Sequence, residues 1–190
     1  MSTLDFTITF HTGFRVATGN ARDGLDDTVN ADDPLPASTL KGLMRAAART
    51  LLPPDGTTDH PLVVAVFGDR HHPSPWNWSS ADFADPPTRH PRAHVAIDPE
   101  TGTAARDMLR FAEEHWATTA TFDVLRTGPL PAEDADRHRM LLAAAGCAVH
   151  ALGSDRRRGL GWVTVTCPDR PPTHADIDRL LNLRTAETPA

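Results

Sequence analysis

The chain holds a single lysine, Lys41, no tyrosine and only two cysteines, Cys147 and Cys167, among 190 residues. Two cysteines cannot build a disulfide framework, which excludes a stapled secreted mini-protein and points to a reduced, cytoplasmic chain. No apolar run approaches the roughly 20 residues that a membrane span requires. The N-terminus lacks the charged start and apolar centre of a signal peptide, so no membrane partner is expected. No repeat period is visible, which excludes solenoids. No Walker-A loop, Rossmann glycine triplet or Gly-x-Ser-x-Gly elbow appears, so neither nucleotide-driven nor serine-hydrolase chemistry is indicated, and no organic cofactor is expected. Positive charge is also short overall. The net charge of −6 argues against a chain that holds nucleic acid by bulk attraction.

What is present is ordinary in amount and uneven in place. Hydrophobic residues make up 39% and charged residues 23%, enough for one domain, 1–190, with its own core. Arginine outnumbers lysine eighteen to one, a skew typical of a GC-rich genome. The positive charge is gathered in two islands. Residues 38–52 carry Lys41, Arg45 and Arg49 with no acid, and residues 153–165 carry Arg156, Arg157 and Arg158 against Asp155 alone. The intervening stretch 53–135 is acidic.

Leu4, Phe6, Ile8 and Phe10 alternate with polar residues, which predicts a half-buried strand. Residues 17–35 read as a long polar loop. The spacing of Leu40, Leu43, Met44, Ala47 and Leu51 predicts a helix entered at Pro36–Ser38 and stopped by Pro53-Pro54. Lys41, Arg45 and Arg49 then share one flank. Residues 69–92 read as an irregular Pro/His-rich insertion, and the run Leu62 to Phe67 before it suits helix or strand. A short strand at 94–97, a turn at 98–102, one or two strands within 111–126, a helix over 132–152, a strand at 162–165 and a helix opened by Pro172-Thr173 with Ile177, Leu180 and Leu181 inward complete the order. That order predicts an α+β, ferredoxin-like (RRM-like) antiparallel sheet with helices on one face.

Two segments carry chemistry. Leu35-Pro36-Ala37-Ser38-Thr39-Leu40-Lys41-Gly42-Leu43-Met44-Arg45 opens the helix, where unpaired N–H groups and the positive dipole end favour phosphate. Ser38 and Thr39 add hydroxyls, and Lys41 and Arg45 add charge. Gly153-Ser154-Asp155-Arg156-Arg157-Arg158-Gly159-Leu160-Gly161-Trp162 is a turn whose glycines let backbone approach a ligand beside three arginines. The plainer alternatives are a capped amphipathic helix with a basic solvent face and a simple helix-to-strand connector.

Together the two segments resemble the RAMP superfamily of CRISPR-associated RNA-binding proteins, with its I-P-G-S-S-L-K-G-x-x-R helix start and its G-x-x-x-x-R-G-x-G turn. Val66-Phe67-Gly68 resembles the family's L-F-G element, and Glu113 to Phe122 its E…F strand pair. Ala37 departs from the family's glycine. Gly24-Leu25-Asp26-Asp27-Thr28-Val29, followed by Asp32-Asp33-Pro34, resembles the loop of the backbone subunit of type III (Csm/Cmr) effector complexes. The resemblance implies an RNA-binding surface of Ser38, Thr39, Lys41, Gly42, Arg45, Arg156, Arg157, Arg158, Gly159 and Gly161. It implies catalysis at Asp26, or Asp27 one position on, with Mg²⁺ or another divalent cation. It makes 17–35 a thumb-like loop whose Thr28 and Val29 wedge between nucleotides. CRISPR RNA, target RNA, further copies of the chain and related subunits are the implied partners. Within the same superfamily the alternatives are a non-catalytic capping or scaffold subunit and a stand-alone CRISPR RNA-processing endoribonuclease.

Three further features carry less weight. His71, His72, His90 and His94 are separated by prolines and joined by no cysteine, so no metal site is assigned. His11, after the first strand, would suit the general base of the processing nuclease. Trp76, Trp78, Trp116 and Trp162 read as core or insertion anchors rather than stacking platforms.

Overall fold

The computed structural model describes residues 3–186. The alternating N-terminal segment forms β1 (Thr3–Phe10), with Leu4, Phe6, Ile8 and Phe10 buried and Asp5 and Thr9 exposed. β1 is central. It pairs antiparallel with β6 (Thr119–Arg126) on one side and with β7 (Val163–Thr166) on the other. β2 (Trp76–Trp78) and β3 (Asp82–Phe83) both pair with β6, so the sheet runs β2-β6-β1-β7, with β3 beside β2 along β6. Phe122, Val124, Val163 and Val165 continue the buried face, while Thr121, Asp123 and Thr164 lie on the open one. The chain is thus α+β, with an antiparallel sheet.

The helices gather on the apolar face. α1 (Ala37–Leu51) buries Leu40, Met44 and Ala48. α3 (Ala132–Cys147) is buried without a break from Met140 to Gly146, because it lies against β1, β7 and the helices α1, α2 (Pro61–Phe67) and α4 (His174–Ala186). The run before the insertion is therefore helical. Pro61 suits the first helical turn, and His60 Nδ1 accepts from Leu62 N–H at 3.1 Å. In α4 only Leu180 of the three predicted inward positions is buried, and Ile177 and Leu181 are exposed.

The stretch 69–92 is not irregular throughout. Trp76 and Trp78 are buried in β2, where their indole N–H groups donate to His138 Nδ1 (3.1 Å) and Met44 Sδ (3.2 Å). A three-residue strand placed directly after Pro75 is too short for an alternation to show, which is why this edge strand reads as loop. The second correction concerns β4 (Thr88–Ile97) and β5 (Ala104–Trp116), which among the named strands pair only with each other and form a long two-stranded ribbon outside the sheet. Its outer half is exposed on both faces, so beyond the short strand read at 94–97 no period-2 pattern marks its length. Pro91 is tolerated because an edge strand can leave one backbone position unpaired. Val95, Ile97, Met108 and Leu109 are all more than half exposed along it. Among the described residues no helix is long and apolar enough to cross a membrane.

Candidate nucleic-acid interface

The loop after β1 does not project. It lies along the inner half of β5 as an added partial strand. Thr18 N–H donates to Thr28 O (3.0 Å), and Arg22 and Leu25 close a tight turn that Gly24 permits with φ +77°. Asp26 and Phe111 exchange two bonds: Asp26 N–H to Phe111 O, and Phe111 N–H to Asp26 Oδ2, each 2.8 Å. One carboxylate oxygen of Asp26 is thereby oriented, and the side chain stays exposed beside a shallow pocket formed by residues 21–26 and Phe111. Asp27 is different. Its carboxylate sits between Arg110 Nη2 (3.2 Å) and Arg15 Nε (3.7 Å) and is only 16% exposed. Thr28 Oγ1 donates to Asn20 O (3.0 Å), and Val29 is buried with its N–H on Glu113 Oε2 (3.4 Å). Thr28 and Val29 are therefore knitted into the body and present no wedging surface. The element that projects is the β4–β5 ribbon.

Arg15 joins this loop to the arginine turn. Its side chain is 1% exposed, pairs with Asp155 and Asp27, and lies 3.4 Å from His94 Nε2. Burial, with the Arg15 charge beside it, lowers the His94 pKa. Arg15 O also accepts from Ser154 N–H at 2.7 Å. Asp155 stands in the left-handed region (φ +54°) and starts a one-turn 3₁₀ segment, Arg156–Arg158. Two glycines make the close approach possible. A Cβ at Gly153 would overlap Arg15 O, and one at Gly161 would overlap Leu152 O. Gly159 follows the arginines at φ +85°. Arg156, Arg157 and Arg158 are exposed, and none makes an ion pair among the described residues. They line a cleft of about 950 Å³ whose other wall is the Leu43, Ala46, Ala47 and Thr50 flank of α1.

The Lys41, Arg45, Arg49 flank is elsewhere. It lines a separate open groove of about 1,410 Å³ with Asp59, Arg70 and His71. α1 stands between the two basic islands, so the expected single patch is two. Arg45 and Arg49 both bind Asp59, Arg45 Nη2 at 2.7 Å and Arg49 Nε at 2.6 Å. These guanidiniums, Arg49 first, hold the Asp59 carboxyl below its ordinary range. Lys41 Nζ lies 5.0 Å from the Trp78 ring centre, and burial, with Arg45 nearby, lowers its pKa. At the helix start Pro36 holds the cap position with no side-chain capping bond, and Ser80 Oγ accepts from Ala37 N–H at 3.2 Å. Ser38 and Gly42 are exposed and Thr39 half-buried.

His11 is exposed, with Nε2 2.7 Å from Thr164 Oγ1. Among the described residues no group of three His, Cys, Asp or Glu is placed to hold a metal. For a divalent cation the fitting donor is Asp26, whose second oxygen is uncommitted. Mg²⁺ is commonly held by one or two carboxylates completed by substrate phosphates. Asp27, flanked by two guanidiniums, does not fit. Sequence reasoning missed Arg15, Asp59 and the exposure of Trp116 and Trp162 (47% and 55%). No local pattern signals any of them.

A family model described as the RAMP superfamily matches residues 7–164. Among solved structures, the chain is similar to one in "Cryo-EM structure of the Type III-B Cmr-beta bound to cognate target RNA", with a TM-score of 0.60 and 15% identity. The likeness covers 86% of this chain and 58% of that one, so this chain spans little more than half the other's length. No curated protein matches.

Proposed function

The chain belongs to the RAMP superfamily, and from that premise we propose that it is an RNA-binding backbone subunit of a type III CRISPR effector that cleaves paired target RNA. The sheet order β7-β1-β6-β2, with helices on one face, supports the ferredoxin-like reading of the fold. The observation that carries the function is the Arg15 hub. One buried guanidinium ties a turn of three unpaired arginines, through Asp155, to the loop that presents Asp26, through Asp27.

In this reading Arg156, Arg157 and Arg158 hold phosphates of the CRISPR RNA, supported by Lys41 across α1. The projecting β4–β5 ribbon takes the wedging role, because its apolar side chains are exposed and its Phe111 adjoins Asp26. RNA supplies its own nucleophile, the 2′-hydroxyl. Asp26, through its one free oxygen, either accepts the hydroxyl proton or helps hold a divalent cation, which would neutralise charge developing on the phosphate. The cytoplasm, target RNA, further copies of the chain and related subunits follow as its setting and partners. The scaffold alternative draws on Asp27, which two arginines occupy. The processing-nuclease alternative draws on His11, whose ring nitrogen is engaged by Thr164.

The test is binding of guide RNA by the wild-type chain and by a variant with Arg156, Arg157 and Arg158 changed to Ala. Affinity for unrelated sequences should fall alike, and the dependence on salt should flatten by about 0.7 per lost phosphate contact on single strands. Unchanged affinity and slope would overturn the assignment.

A further inference from the structure

We infer that Trp162 is a nucleobase-stacking platform, so that the cleft between α1 and the arginine turn takes a base and not only phosphates. The inference rests on the RNA-binding reading and adds to it the part of the nucleotide recognised.

The argument starts from exposure. Trp162 is the most exposed tryptophan in the chain, at 55%, although Gly161 and Val163 on either side are buried. Its position is nevertheless fixed. The backbone N–H donates to Thr12 Oγ1 at 3.0 Å, and the carbonyl accepts from His11 N–H at 2.9 Å. The indole N–H reaches Arg156 O at 3.5 Å, which sets the ring edge against the arginine turn. Among the described residues no cation and no second aromatic ring lies over it. A rigid, solvent-facing indole is costly to leave bare and inexpensive to stack upon, because little side-chain freedom remains to be lost.

The surroundings choose the ligand. The cleft is floored by small apolar side chains, Ala46, Ala47 and Ala151 with Leu43, and rimmed by Arg156, Arg157 and Arg158. That is an apolar slot of a base's character beside a cationic rail of a phosphate backbone's character, the combination that single-stranded nucleic acid fits. A protein segment seated there would need acids along one side, and a second copy of this chain is the competing occupant that the test must separate.

The experiment uses the full chain with single-stranded oligouridine and oligoadenosine. The wild-type and Trp116→Phe chains should lose tryptophan fluorescence on titration, and Trp162→Phe should not. Trp162→Ala should weaken binding about tenfold with an unchanged salt slope, and Trp162→Phe should keep most of the affinity, because stacking and not charge is removed. A circular-dichroism spectrum matching the wild type establishes that the variants fold. Wild-type binding with unaltered affinity in Trp162→Ala would overturn this inference alone. So would a Trp162→Ala chain that loses self-association but keeps its RNA affinity, since Trp162 would then face another copy. No RNA binding by the wild type would overturn the underlying reading and this inference with it.

Discussion

Arg15 and Asp155, 140 residues apart in sequence, form an ion pair in which the guanidinium is almost wholly buried and the carboxylate largely so. Asp27 shares the same guanidinium from the other side. Removing Arg15 leaves two carboxylates facing each other in a site built for a cation. Arg15→Met should therefore cost about 3–5 kcal/mol of folding stability, read from urea denaturation. Arg15→Lys should recover only part of this, because one ammonium lacks the fork that reaches two partners. Wild-type stability in Arg15→Met would show that the hub holds nothing together.

Asp26 and Asp27 are adjacent in sequence and separable by environment. Asp26→Asn keeps the Phe111 contact, so it should leave stability within about 0.5 kcal/mol while target-RNA cleavage by the assembled complex with Mg²⁺ disappears. Asp27→Asn should do the reverse. It loses about 1–3 kcal/mol, since Arg15 and Arg110 lose a charged acceptor, and it retains cleavage in proportion to folded protein. Cleavage lost in Asp27→Asn at full stability, with Asp26→Asn active, would exchange the two roles.

Much of this arrangement is readable from the chain, and the boundary is physical. The stripe from Leu40 to Leu51 reports its own burial because a helix face repeats within four residues. The turn from Gly153 to Gly161 reports itself because left-handed backbone selects glycine. By contrast, Arg15 is one arginine of eighteen, and only tertiary contacts 12 and 140 residues away make it a hub. Of the phosphate candidates Lys41 and Arg45 on α1, Arg45 is taken, together with Arg49, by Asp59, which no local pattern ties to them. Of the outer β4–β5 ribbon only the strand piece at 94–97 and the turn after it are legible; the rest is silent because neither face is buried, so nothing selects an alternation.

Asp59 occupies both guanidiniums that α1 contributes to its groove, Arg45 and Arg49. If that groove also meets RNA, Asp59→Asn should raise RNA affinity and steepen the salt dependence by about 0.7 for each arginine recruited to phosphate. The same change should cost about 1 kcal/mol of stability from the weakened charged hydrogen bonds. An unchanged slope would restrict RNA to the opposite flank of α1.

His115 sets the acid limit of stability. It is 1% exposed, its Nδ1 has no hydrogen-bond partner, and its backbone exchanges bonds with Phe14 (2.8 Å each). Burial, with Arg89 adding to it and Glu113 opposing, lowers its pKa to about 4. An unfolded histidine titrates near 6.5, so between these values the unfolded chain binds a proton that the folded chain refuses. Stability is undiminished above about pH 6.5 and falls as pH drops toward 4, by up to about 3 kcal/mol from this residue. His94 and His138, also lowered by burial, add to the same limb, which is why a single substitution flattens it only in part. The separate loss at Asp176, whose carboxylate Arg170 and Thr173 hold far below its ordinary value, begins only below about pH 4. Urea midpoints at pH 7.5, 5.5 and 4.5 should therefore converge in His115→Leu relative to the wild type, and parallel profiles would remove His115 from the account.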